Sequence, residues 1–114
     1  MLSTKEKGLL INIIKHCEKI ETKILSLTRE QFDQDEDVRE IICFNMFQIG
    51  ELAKNFEPEF LIKYNAVPWK QIKGMRDIIG HGYGSININK VWETALTDIK
   101  PLKEYCQKIL KDNN

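Results

Sequence analysis

Leu9, Leu10, Ile13, Ile14, Cys17, Ile20, Ile24 and Leu27 recur at steps of three and four residues. Such spacing lays one apolar stripe along about five helical turns, with lysines and glutamates on the opposite face. Ser3 followed by Glu6 has the spacing of a capping box and opens this helix. His16 borders the stripe and reads as an exposed or boundary histidine. A second stretch, about residues 36–56, is apolar over a wider arc through Val38, Ile41, Ile42, Cys43, Phe44, Phe47, Ile49, Leu52, Ala53 and Phe56. A helix apolar on so many sides must be covered on several of them, by a bundle or by a partner chain. Gly50 and Glu51 interrupt it. The glycine permits close helix approach at a propensity cost of roughly 1 kcal/mol, and the glutamate is either exposed or needs a cation, for which Arg76 is the candidate.

Between these helices, Thr28 to Gln34 breaks the pattern, with Phe32 tucked under the connection. Asp33, Asp35, Glu36 and Asp37 gather where the second helix starts, and acids there complement the positive end of its dipole. No histidine accompanies them, so a solvated helix start is favoured over a metal site. Pro58 begins a short helical piece through about Lys63, followed by a loop at residues 64–67. Pro68 fits the first position of a helix marked by Trp69, Ile72, Met75, Ile78 and Ile79, which Gly80 and Gly82 end. Residues 84–89 form a turn-prone connection with room for a brief extended piece. Asn89 caps a last helix through about Lys111, kinked or divided by Pro101 near Lys100. The expectation is an all-α bundle of four long helices plus short helical pieces, in a single domain over residues 1–114.

Composition narrows the class. A chain of 114 residues, 42% hydrophobic and 30% charged, is ordinary for a soluble globular domain. Net charge is zero but unevenly spread: residues 61–90 hold Lys63, Lys70, Lys73, Arg76 and Lys90 against Asp77 alone, whereas residues 1–60 are net acidic. A positive segment of this kind suits an anionic partner. Cys17, Cys43 and Cys106 lie among apolar helical positions and read as small buried hydrophobes in a reducing compartment. There is no secretory-leader pattern, and the apolar runs fall short of the ~20 residues a membrane span needs. A cytoplasmic protein without membrane contact, cofactor or metal is expected.

Chemistry concentrates in residues 74–83, Gly-Met-Arg-Asp-Ile-Ile-Gly-His-Gly-Tyr, where Arg76, His81 and Tyr83 form an R-x4-H-x-Y pattern. A guanidinium grips phosphate oxygens in a fork, and an imidazole moves protons near neutral pH, so the set suits phosphoryl transfer. On an ideal helix Arg76 and His81 would lie about 140° apart. Either the glycines distort the helix end, or the two residues meet across a subunit boundary. Metal-free RNA cleavage wants one group to take the 2′-OH proton and another to protonate the leaving oxygen, and the chain has only His16 and His81. A two-fold dimer would supply two copies of each group. The plainer alternatives are His81 capping a helix end, Arg76 serving as a structural partner of Glu51, and Tyr83 as a half-buried aromatic.

The Phe32-Asp33 junction, the Ile49-Gly50-Glu51 step, the Pro68-Trp69 helix start, Gly74-Met75-Arg76 and the R-x4-H-x-Y segment occur in this order. Over roughly residues 30–110 the chain thereby resembles the HEPN superfamily, specifically the HepT-like toxins paired with minimal nucleotidyltransferase antitoxins. The resemblance implies a helical homodimer with a composite site acting as a metal-independent ribonuclease on RNA. Arg76 would stabilise the phosphorane, and His81 would act as general base or acid, leaving a 2′,3′-cyclic phosphate. Asp77 stands where the family often has asparagine, keeping polarity and adding charge; it and Glu51 are supporting residues. Tyr83 matches the tyrosine that the nucleotidyltransferase modifies with AMP, which would block the phosphate site with bulk and charge. Lys70, Lys73 and Lys90 are candidates for RNA backbone contacts. The alternative function is a non-catalytic helical partner of a nucleotidyltransferase.

Overall fold

Among the described residues, seven α-helices and one 3-10 turn follow from these local signals. The computed structural model describes residues 1–77 and 86–113. Helix α1 spans Thr4–Ile24, and its start has the expected reciprocal cap: Glu6 N–H donates to Ser3 Oγ, and Ser3 N–H donates to the Glu6 carboxylate. Leu10, Ile13, Cys17 and Ile20 are its buried residues, one face at three- and four-residue steps. Helix α3 spans Glu36–Ala53, capped by the Asp35 carboxylate, which accepts from Val38 N–H. The two helices run antiparallel: Lys5 lies beside Glu57 at one end, and His16 bonds Asn45 farther along. Helix α7, Ile99–Asp112, packs on α1 through the apolar core and through an ion pair between Lys103 and Glu21 at 2.6 Å. That contact holds the Lys103 ammonium above its usual range.

The all-α bundle matches expectation, and its boundaries refine the sequence reading. Thr28–Gln34 is more than a break. Thr28 caps a short helix α2, Arg29–Gln34, through a second capping box with Gln31. Phe32 is fully buried there and packs on Trp92 with ring centroids 5.0 Å apart. Six residues are too few for apolar periodicity to register, so only the cap could have announced this helix. Two of the clustered acids have local partners: Asp33 pairs with Arg29 at 2.8 Å, and Asp35 is the α3 cap.

Helix α3 ends at Ala53, earlier than residue 56, because Lys54, Asn55 and Phe56 fold back to the carbonyls of its last turn. Helix α4, Pro58–Lys63, leads into an aromatic cluster. Phe56 stacks on Phe60 at 4.2 Å, Trp69 leans on both, and the Trp69 indole N–H donates to the Tyr64 carbonyl. Pro68 takes the cap position of α5 rather than its first helical position, and α5 runs only Trp69–Lys73 before tightening into the 3-10 turn Gly74–Arg76. Ile78, Ile79, Gly80 and Gly82 lie outside the described residues.

The last expected helix is two. Asn87, not Asn89, caps helix α6, Ile88–Thr97, by accepting from Lys90 N–H. The Asn89 side chain instead accepts from the Arg29 guanidinium. The division falls at Asp98, three residues before Pro101. A proline ring clashes with the carbonyl four residues earlier, here Thr97, so Pro101 fits only in the first turn of a new helix.

All three cysteines are buried and unbonded. Burial pushes the Cys43 and Cys106 thiols up to about 11 and about 12, and Cys17 higher still, with Cys106 and Glu21 adding to it. No helix among the described residues is long and apolar enough to cross a membrane.

Candidate functional site: an arginine held at a glycine crossing

Two consecutive residues of α3 build the surroundings of Arg76. A Cβ added at Gly50 would lie 3.0 Å from the Arg76 backbone nitrogen, 3.2 Å from Arg76 Cβ and 3.3 Å from the Ile72 carbonyl oxygen. The 3-10 turn therefore rests directly on the α3 backbone, at a distance where an added Cβ would be tighter than ordinary van der Waals contact. The next residue supplies the counter-charge, with Glu51 Oε1 2.7 Å from Arg76 Nε. That oxygen is closed to solvent and has no aligned hydrogen bond, so the contact is an ion pair through space. Glu51 Oε2 meets Lys54 Nζ at 3.1 Å. The Arg76 side chain remains 44% exposed. One edge of the guanidinium is oriented by the carboxylate, and the group as a whole stays open to an anion.

The other expected residues are spread around this centre. Asp77 closes the 3-10 turn by donating its backbone N–H to the Gly74 carbonyl at 3.0 Å, and its exposed carboxylate pairs with no cation among the described residues. Lys70 is exposed on α5, and Lys73 is half-buried at its end. Lys90, in the first turn of α6, lines a cleft of about 510 Å³ whose opposite wall is Gln71, Gly74 and Met75. His81 and Tyr83 lie outside the described residues. The structure thus brings Glu51 to Arg76 and Lys90 to the flank of the same turn.

Two features were not read from the sequence. One is this cleft, whose walls come from segments some twenty residues apart. The other is a polar pair in the α1–α3 interface: His16 Nδ1 stands 2.6 Å from the Oδ1 of Asn45, which is buried, and the Asn45 amide donates to the Ile41 carbonyl. With that amide fixed as a donor, the imidazole Nδ1 carries the proton in the bond. The signal available was a lone asparagine in the apolar run Ile42–Phe47. Among the described residues no group of three or more His, Cys, Asp or Glu is arranged to hold a metal ion.

Comparison with known proteins bears on the same region. A family model described as ribonuclease HepT-like matches residues 13–109. A provisionally named RNase of Caldanaerobacter subterraneus subsp. tengcongensis is 34% identical over 102 residues, covering 90% of this chain and 91% of the relative. A protein of Methanocaldococcus jannaschii, named as a gamma-glutamylcyclotransferase and provisionally as an RNase, is 33% identical over 103 residues, 90% of this chain and 46% of its own length. A probable ribonuclease HepT of Thermococcus cleftensis is 27% identical over 110 residues, 96% of this chain and all of the relative. No solved structure gives a significant match. The match runs from the middle of α1 almost to the end of α7 and takes in the crossing of α3 with the arginine turn: the chain belongs to the HepT-like ribonuclease family.

Proposed function

We propose that this protein is a metal-independent endoribonuclease that works as a two-fold homodimer, the toxin of a pair whose antitoxin is a minimal nucleotidyltransferase. The observation that carries the reading is Arg76: held by Glu51 at 2.7 Å, seated on Gly50, and still partly open to solvent in the positive stretch of the chain. In the reaction the 2′-oxygen bonds to phosphorus as its proton passes to a general base. The P–O5′ bond then breaks, and the leaving oxygen takes a proton from a general acid. The products are a 2′,3′-cyclic phosphate and a 5′-hydroxyl. His81 from each protomer is assigned to these transfers, and Arg76 to the charge that develops on the phosphorane oxygens.

The dimer is supported by an uncovered apolar stripe on α3. Phe44 is 58% exposed and Ile41 39% exposed. Phe44 stands two turns from Glu51 on the same helix face, about 10 Å away. Surface of that kind beside a charged site is where a second copy would pack. Tyr83 is assigned as the acceptor of AMP from the antitoxin, which would place a bulky anion next to the arginine–histidine motif. Lys70, Lys73 and Lys90 are assigned to backbone phosphates.

A second reading, a non-catalytic helical partner of the nucleotidyltransferase, is favoured by the carboxylates of Glu51 and Asp77 beside Arg76, since both oppose an incoming phosphate. The two readings separate in one assay, incubation of RNA with the protein in EDTA. Cleavage to 2′,3′-cyclic phosphate ends by wild type, lost in Arg76→Ala and His81→Ala variants that remain folded, supports the nuclease. A stable complex with the nucleotidyltransferase without any cleavage supports the partner.

A further inference from the structure

The cleft beside Lys90 does not end at the arginine turn. Gln71, Met75, Thr97 and Asp98 line both it and a smaller cavity of about 70 Å³, so the two form one groove between α5 with its 3-10 turn and the α6–α7 elbow. Its far end is apolar, with Pro101 and Tyr105, one turn apart on α7, facing Pro68 and Ile72. Tyr105 is 38% exposed, and its hydroxyl has no hydrogen-bond partner among the described residues. The near end is formed by Lys90 with Gly74 and Met75, the two residues that precede Arg76.

We propose that this groove receives the nucleotide of a single-stranded RNA that flanks the cleaved linkage, with its base on Tyr105. The inference rests on the nuclease reading and adds a substrate subsite to it. Three observations point to a nucleotide. The groove is continuous with the turn that carries Arg76, so a strand gripped there reaches the groove within one or two nucleotides. Its Lys90 end, about 510 Å³, falls within the ~300–1,000 Å³ usual for small-ligand pockets, and the base extends from it over the exposed Tyr105 ring at the end of about 70 Å³. Its character divides as a nucleotide does, with a cation at the end near the arginine and an aromatic face with prolines at the other. An exposed tyrosine beside apolar walls is the platform on which unpaired bases stack. Glu93 and Asp98 along the groove disfavour a phosphate in its middle and favour the N–H donors of a base edge. The Thr97 hydroxyl donates its proton to the Glu93 carbonyl, with the Asp98 carboxylate also in reach, so it offers a base edge an acceptor as these carboxylates do. The groove therefore favours a base with an exocyclic amino group, adenine, guanine or cytosine, over uracil.

The test uses single-stranded hexamers of adenosine, cytidine or uridine, fully 2′-O-methylated so that no 2′-oxygen can attack, with binding read by fluorescence anisotropy. Wild type should bind the adenosine and cytidine oligomers more tightly than the uridine one. Tyr105→Ala should weaken that binding about 10- to 100-fold, the loss of one stacked base, and Tyr105→Phe should restore it. Asp98→Asn together with Glu93→Gln should flatten the preference among bases. Should Tyr105→Ala not fold, photo-crosslinking of 6-thioguanosine RNA to wild type decides, with an adduct expected on tryptic peptide 104–108. If wild type cleaves RNA while Tyr105→Ala binds as tightly as wild type, or if no adduct forms on that peptide, the groove is not part of the RNA path and the nuclease reading stands. Loss of nucleotidyltransferase binding in Tyr105→Ala with RNA binding intact would give the groove to a protein and overturn the inference. Wild type that neither binds nor cleaves RNA would remove both readings together.

Discussion

At the scale of single residues, a glycine followed by a glutamate sets the position of Arg76. Gly50→Ala should raise helix propensity by roughly 1 kcal/mol. The added methyl would nonetheless press on the Arg76 backbone nitrogen at 3.0 Å and on Arg76 Cβ at 3.2 Å. Backbone atoms cannot step aside as a flexible side-chain tip can, so the crowding wins. We expect a net loss of about 1–3 kcal/mol in urea denaturation, together with a displaced arginine and slower RNA cleavage; a variant as stable and as active as wild type would contradict the close crossing. Glu51→Ala should act in the opposite proportion. Both partners are partly exposed, so their pairing contributes at most about 1 kcal/mol to stability. The orientation of Arg76 depends on it directly, and cleavage should fall at least tenfold while the melting temperature moves little. Both expectations were legible before any coordinates, because a small residue and a charge inside an apolar helix ask for a close neighbour and a cation. The His16–Asn45 bond was not. Two polar residues twenty-nine positions apart give no sign of meeting until the register of α1 on α3 is known.

At the scale of elements, long helices announced themselves and short ones did not. Periodicity fixed α1 and most of α3, where four to six turns of repeated pattern leave no competing reading. Helix α2 depends on its cap. Thr28→Ala would remove the acceptor for Gln31 N–H and should cost about 1 kcal/mol, measured as a lower urea midpoint with an unchanged slope. An unchanged midpoint would mean that Phe32 burial alone holds the helix. The elbow between α6 and α7 was placed about two residues late, near Lys100 instead of Asp98, for an instructive reason. Proline acts on the carbonyl four residues before it, so the interruption belongs at Thr97–Asp98 rather than beside the ring. That shift matters to the site, because Thr97 and Asp98 line the groove beside the arginine turn. Surfaces assembled from α5, α6 and α7 are not written in any one stretch of sequence.

At the scale of the whole molecule, the proposal requires two copies, because one chain brings a single R-x4-H motif. The exposed Phe44 on α3 is the place to challenge that requirement. A charge there would have to be buried against the partner, so Phe44→Glu should convert the dimer to monomer in light scattering and abolish cleavage while the helical circular dichroism is retained. A monomeric wild type, or a Phe44→Glu variant that stays dimeric, would place the second set of groups elsewhere. The central claim is that the guanidinium resting on Gly50 and oriented by Glu51 stabilises the charge that forms as RNA is cut without metal. Its most direct test is the single-turnover cleavage rate of a single-stranded RNA in EDTA, compared between wild type and a folded Arg76→Ala variant. The account predicts a loss of roughly 100- to 1,000-fold, the cost of removing one transition-state donor; an undiminished rate in Arg76→Ala would contradict it.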